Sequence, residues 1–217
     1  MAKRMALPNG ATVQIATALD DAIVFTTITN AAPPVLTSVG HGLTAGDYVI
    51  VSSGWCELDQ QAYKVGVVTA DTFTLIGANT TNIVKYPPGG GAGLVNQVLD
   101  WQDVPCITDS SLSGGEPQYV DVECLQEDNP KRLFNGFSPI DWTMQVSDDD
   151  TNPSIAILED LSDTQETSVL RIILRSLKEK LYAGSFSISP DSTMSRGEVM
   201  TRAVGIAVSK ITKYPAP

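Results

Sequence analysis

Along most of the chain, short runs alternate between apolar and polar residues, the period of a β-strand with one buried face. AIVFTTIT (22–29) is rich in β-branched residues and is broken by Pro33-Pro34. VLTSV (35–39), YVIVS (48–52), YKVGVV (63–68) and TFTLI (72–76) follow, separated by HGLTAGD, a polar connection after Trp55 and the turn at Thr69-Ala70-Asp71. Together these predict a compact all-β module of about 55 to 60 residues whose runs close on themselves. A core of that size is marginal alone, so the module is expected to lean on a neighbour. YPPGGGAG (86–93) interrupts any regular element and ends it.

A second region starts at LVNQ (94–97). PQYVDVECL (117–125) places Tyr119, Asp121 and Glu123 on one face and Val120, Val122 and Cys124 on the other, which predicts a half-buried strand. QEDNPKRLFN (126–135) reads as a polar loop around Pro130, and DWTMQVS (141–147) resumes the alternation. One helix is predicted, with Asn152 as N-cap, Pro153 in the first turn and Ile155, Leu158 and Leu161 on one face; the pattern fades after about nine or ten residues. VLRIILR (169–175), KLYAGSFSIS (180–189) and residues 198–212 read as closing strands. In the last of these, Ala203, Gly205, Ala207 and Ser209 alternate with Val204, Ile206 and Val208, so its small side is expected to face something close. The fold class is therefore mainly β: a sandwich or barrel-like core from residues 1–19 and 94–217 with one packed α-helix, plus a small inserted all-β module and its Gly/Pro-rich linker at 20–93.

Charge and composition narrow the function. The 217 residues carry 25 Asp and Glu against 14 Lys and Arg, a formal net charge of −11, which argues against a protein that grips nucleic acid through clustered cations. No apolar run approaches the roughly 20 residues that cross a bilayer, and MAKRMALPNG lacks the apolar stretch of a secretion signal, so folding where the chain is made is expected. Cys56, Cys106 and Cys124 are odd in number and lack CxxC spacing, which predicts buried reduced thiols rather than disulfides or zinc.

Candidate chemistry is sparse. His41, the only histidine, lies in HGLTAGD, where Gly42 and Gly46 suit a turn; it is read as bonding loop carbonyls or amides, since no second histidine exists to build a metal site. Asp148-Asp149-Asp150 reads as a solvated loop, and the pairs Glu57/Asp59 and Asp121/Glu123 as surface acids. GxxxxGK[ST], GxSxG and HExxH are all missing from the sequence. Binding or assembly is expected ahead of catalysis, with no cofactor and no metal.

Two segments carry a family resemblance. GGEPQYVDVECLQEDNPKRLFNGFSPIDWTMQVSDDDTNPSIAILEDL, followed by LRIILRSLKEKLYAGSFSISPDSTMSRGEVMTRAVGIAVSKIT, resembles the core of the tail tube proteins of long-tailed, non-contractile bacteriophages in its order of strand, long loop, strand, helix, strand and hairpin. HGLTAGDYVIVSS is similar to a small β module inserted into phage tail proteins.

The resemblance implies a structural subunit of the virion tail, made in the host cytoplasm, that forms homo-hexameric rings stacked into a tube. It also implies contacts with other tail proteins, viral double-stranded DNA passing through the lumen without tight binding, and no membrane. It further implies ring stacking through the loop at Glu127, Asp128, Lys131, Arg132, Leu133 and Phe134; close packing between subunits at Ala203, Gly205 and Ala207 fits the same picture. A tail terminator or another virion ring protein is one alternative. A carbohydrate-binding β protein using Trp55, Trp101 and Trp142 as stacking platforms is another.

Overall fold

A computed structural model describes residues 10–104, 106–122, 131–149, 151–194, 196–197 and 199–215. The amino-terminal part contains β1 (Thr12–Leu19), β2 (Ile23–Phe25), β3 (Thr27–Ile28), β4 (Val35–Thr37), β5 (Tyr48–Ser53), β6 (Gln61–Val68) and β7 (Thr72–Ile76). Next come β8 (Gly93–Asp103), β9 (Ile107–Gly114), β10 (Pro117–Val122), β11 (Lys131–Phe137) and β12 (Ile140–Ser147). Helix α1 (Pro153–Thr164), β13 (Thr167–Ile173), β14 (Glu179–Ile188) and β15 (Thr201–Tyr214) complete the chain.

The expectation of a mainly β fold with one helix holds. A curled antiparallel sheet of 13 strands runs in the order β3-β4-β7-β6-β5-β8-β1-β13-β14-β15-β12-β9, with β2 also beside β8, while β10 and β11 form a separate two-stranded sheet. The module does not close on itself as predicted. β8 starts inside the Gly-rich bridge and serves both regions: its first half pairs with β2 and β5, and its second half with β1. The bridge is tightly packed rather than loose, because a Cβ on Gly91 would come within 2.4 Å of Ile28 and 2.8 Å of the Trp55 ring.

Three apolar clusters hold the sheet together. One fills the amino-terminal region around Phe25, Leu36, Val49, Val51, Tyr63 and Phe73. A second lies inside the curl, where Ile155 and Leu158 of α1 meet Phe186, Val204 and Ile206. The third joins the two regions, with Tyr48, Ile50 and Ala62 against Val169, Leu181, Ala183 and Tyr214. β5 is consequently buried on both faces, and the lean of the small module on its neighbour is this third cluster. A polar network borders it: the Tyr48 hydroxyl donates to Glu179 at 2.6 Å, Lys64 lies 3.4 Å from the same carboxylate, and Arg171 reaches Gln14 with its guanidinium over the Tyr48 and Trp101 rings.

Helix α1 begins as predicted, the Asn152 side chain accepting from the Ser154 N–H at 2.9 Å with Pro153 behind it. It runs one turn beyond the fading apolar pattern, to Thr164, and ends on Gln165 in the left-handed region, whose N–H donates to the Leu161 carbonyl. Arg202, nearly buried, clamps the helix to the sheet by donating to Glu159 at 2.7 Å and to the Ser189 carbonyl. Two other expectations fail: Cys56 and Cys106 are exposed free thiols rather than buried ones, and the last strand starts at Thr201. Cys124 lies outside the described residues.

Candidate assembly surfaces

The residues predicted to form a stacking loop divide. Glu127 and Asp128 lie outside the described residues, whereas Lys131, Arg132, Leu133 and Phe134 belong to β11 and pair in register with β10. The loop expected over 126–135 is therefore a strand from Lys131 onward, and the half-buried strand expected at 117–125 is exposed along all of β10. The hairpin grows from the ends of β9 and β12, its entry marked by Gly114 at positive φ with no room for a Cβ, which would sit 1.8 Å from the Pro139 carbonyl oxygen.

Apolar side chains occupy both faces of this hairpin. On one face Tyr119, Phe134 and Phe137 pack edge to face, with centroids 6.0 and 5.2 Å apart, beside the Arg132–Asp121 pair at 2.7 Å. On the other lie Val120, Val122 and Leu133, as their register requires. Tyr119 is 53% exposed, Leu133 58%, Phe134 57% and Phe137 68%, so little of the subunit covers them. A two-stranded hairpin is marginal alone, and an apolar one presented to water marks an interaction surface. The aromatic members Tyr119 and Phe137 escaped the sequence reading, because alternation on a free ribbon looks the same as alternation on a half-buried strand.

A second surface covers the outward face of β9, β12, β15 and β14. Here register places Asp141 beside Ser113 and Ala207, Thr143 beside Ser111 and Gly205, and Gln145 beside Asp109 and Ala203, with Ser185 and Ser187 across from Ala207 and Gly205. Val204, Ile206 and Val208 point the other way into the core, as the alternation predicted. The glycine at 205 answers an internal demand, since a Cβ there would sit 2.8 Å from the Ser187 Oγ. Ser111 and Thr143 hydroxyls bond across the strands at 2.7 Å. The charged members among these positions are Asp109 and Asp141. The result is a sheet face of small neutral side chains and carboxylates, without a basic residue at any of the positions named.

The other singled-out residues are structural. His41 is buried, accepts the Leu43 N–H at Nδ1 and approaches the Thr69 carbonyl at 3.1 Å through Nε2, so that nitrogen carries the proton. Asp47 closes the same turn by accepting from Thr44 and Gln97. The Trp55 indole donates to the Pro87 carbonyl inside the first cluster, Trp142 stacks on Tyr182 in the second, and Trp101 carries the Arg171 guanidinium. All three tryptophans are thus engaged within the subunit. Among the described residues, no cluster of metal-ligating side chains occurs.

No curated protein matches the chain. The family model described as phage tail tube protein, TTP, matches residues 53–216, from the end of β5 through β15, and so includes β6 and β7 of the amino-terminal module as well as the region in which the resemblance was first read. The match spans most of the chain and every surface just described, and on it the chain belongs to the phage tail tube protein family, as a non-enzymatic structural component of the virion tail.

Proposed function

We propose that the chain closes into hexameric rings that stack into a non-contractile tail tube, with the β10–β11 hairpin joining each ring to the next and the outward face of β9, β12, β15 and β14 lining the channel. The observation that carries the reading is the hairpin, whose apolar side chains on both faces remain largely exposed. Ring closure falls to sheet edges such as β9, whose open side is free to continue the sheet into a neighbour.

The Ala203, Gly205 and Ala207 strip sits in the middle of a Ser, Thr and Asp face, and that setting favours a channel lining over the close-packed subunit contact expected from its small size. Duplex DNA presents one negative charge per about 1.7 Å, so a cation repeated on every subunit would sum to adhesion, whereas hydroxyls and carboxylates let the genome slide.

Electron microscopy of the purified protein tests the assembly. Wild-type chain should form tubes, and Lys131→Glu with Arg132→Glu should leave subunits folded but unstacked; normal tubes from that double variant would remove the hairpin from the junction. Rings that never elongate would favour a tail terminator. Assembled tubes should show no salt-dependent retention of duplex DNA, while Asp141→Lys with Thr143→Lys should create it.

A further inference from the structure

The curled sheet does not close, and the gap it leaves is a slot of about 710 Å³. Ile107 and the chain around Val104 form one side, Ile172 and Leu174 at the end of β13 the other, and the Trp142–Tyr182 stack, with centroids 4.9 Å apart, the floor. Asp109 and Lys180 stand among the lining residues, one acid and one base. A volume of this size, within the roughly 300–1,000 Å³ that takes a small ligand, suits the edge of a short strand with its side chains rather than a whole hairpin.

We infer that, in the stacked tube, this slot receives Leu133 and Phe134 of the β10–β11 hairpin from a subunit of the neighbouring ring; the inference rests on the ring-stacking role proposed for the hairpin. Shape is the first argument. Leu133 and Phe134 are consecutive in β11 and point to opposite faces, so a flat partner would cover one and leave the other in water. A recess lined by Ile107 and Ile172 as well as the Trp142–Tyr182 stack offers apolar contact to both.

Charge is the second argument. The Arg132–Asp121 pair beside the aromatic face and the slot's Asp109 and Lys180 each present one charge of either sign, so each has an opposite charge to face on docking. The third is symmetry. The hairpin leaves β9 at Gly114, and the slot is lined by Cys106 through Ser110 at the opposite end of that strand, so the donor and acceptor surfaces are distinct. A contact between two different patches of identical chains is heterologous and propagates without limit, which is what stacking of rings requires.

The test is photo-cross-linking in assembled tubes with benzoylphenylalanine in place of Phe134, followed by peptide mapping. Products joining position 134 to peptides spanning 104–110 or 172–182 of another subunit are expected. Products on any other surface, including residues 1–9, would overturn the slot while leaving hairpin stacking intact; tubes that yield no product between subunits would overturn hairpin stacking itself. A second arm needs no change in the hairpin. Cys106 is an exposed thiol in the slot, so a bulky maleimide placed on it after folding, with Cys56 and Cys124 replaced by serine, should slow tube growth by at least about tenfold, equivalent to about 1.4 kcal/mol. Unchanged growth of the fully labelled, folded protein would reject the slot as the hairpin's seat.

Discussion

Tyr48-Val49-Ile50-Val51 in β5 and Tyr119-Val120-Asp121-Val122 in β10 differ at one position of four, yet they meet opposite fates. The first is buried along its length and between two apolar clusters; the second is exposed along its length in a hairpin that touches little else. A strand with apolar residues on both faces needs a partner on each. β5 finds the amino-terminal cluster on one side and β13 and β14 on the other, both within its own chain. β10 and β11 stay largely exposed in their own chain, and the proposed ring stacking would cover them in another copy. The replacement of Ile50 by Asp121 in this motif marks the difference: one apolar position becomes a carboxylate that pairs with Arg132 in the open. Local propensity is alike in the two strands, and what separates them is which surfaces the topology brings alongside.

Exchanging that one residue is the strongest test. Ile50→Asp would set a carboxylate 4% exposed among Leu181, Ala183 and Val169, and because the bordering cations Lys64 and Arg171 are already engaged by Glu179 and Gln14, the cost should reach about 4 kcal/mol or more, enough to unfold a marginal domain. Asp121→Ile should leave the denaturation midpoint of the subunit almost unchanged. A mild Ile50→Asp would mean that the two regions separate easily, and that the third cluster is a loose contact.

Much of this architecture was legible beforehand because it is written in local periodicity. β7 begins and ends where TFTLI does, α1 starts on its predicted cap, and Val204, Ile206 and Val208 face inward. What escaped was long-range. Nothing local in Gly93 to Asp103 says that one strand will serve both regions, since a strand paired on two sides has the same alternation as one paired on a single side. The assembly surfaces were half legible. Lys131 to Phe134 fall within the segment to which the resemblance assigns ring stacking, but Pro130 and the polar run before them suggest a loop where the chain forms a strand. Cys56 and Cys106 went wrong for a simpler reason: a buried thiol is the common case, and neither residue lies on a strand that turns it inward.

Removing the clasp between the regions should cost less than placing a charge there. Glu179→Ala takes away the acceptor for the Tyr48 hydroxyl and the Lys64 ammonium and leaves both partly shielded from water, for a loss of about 1–3 kcal/mol by chemical denaturation. A double-mutant cycle with Lys64→Met separates the ion pair from the hydroxyl bond; simple additivity would show that the pair acts on neither.

The same contact should fail first in alkali. Burial pushes the Tyr63 phenol up to about 12 and raises that of Tyr214, so the unfolded chain ionises these groups near pH 10 while the folded one does not. Burial alone would lower the Lys64 ammonium, but Tyr48 and Glu179 more than offset it and hold its pKa above the ordinary lysine value. All three groups are raised in the folded state. Their stabilisation is complete below about pH 10 and is lost as pH rises through the folded values, where the unfolded chain holds fewer protons. The denaturation midpoint should stay level from pH 8 to 10 and fall beyond. In Tyr214→Phe, which removes one of these phenols and the hydroxyl that accepts the Lys64 N–H, the start should be lower and the fall shallower. An equal fall in that variant would place the alkaline sensitivity elsewhere.

The smallest effect on folding is expected in the hairpin, together with the largest effect on assembly. Leu133→Ser with Phe134→Ser removes two large apolar side chains that are 58% and 57% exposed in the free subunit, and Phe134 packs on Tyr119 and Phe137 of its own hairpin, so the hairpin should loosen while the unfolding of the curled sheet shifts by no more than about 0.5 kcal/mol. In a tube the same side chains would be covered at every ring junction. Fully burying each is worth roughly 1.5–3 kcal/mol relative to exposure, so losing the pair should weaken each hairpin contact by about 2–4 kcal/mol after allowing for the fraction already shielded. Multiplied around a ring, that loss should leave no tubes in electron micrographs while circular dichroism and the unfolding midpoint remain those of the wild type. Were the double variant instead to unfold, the hairpin would have to be packed within its own subunit, and the contrast with β5 would disappear.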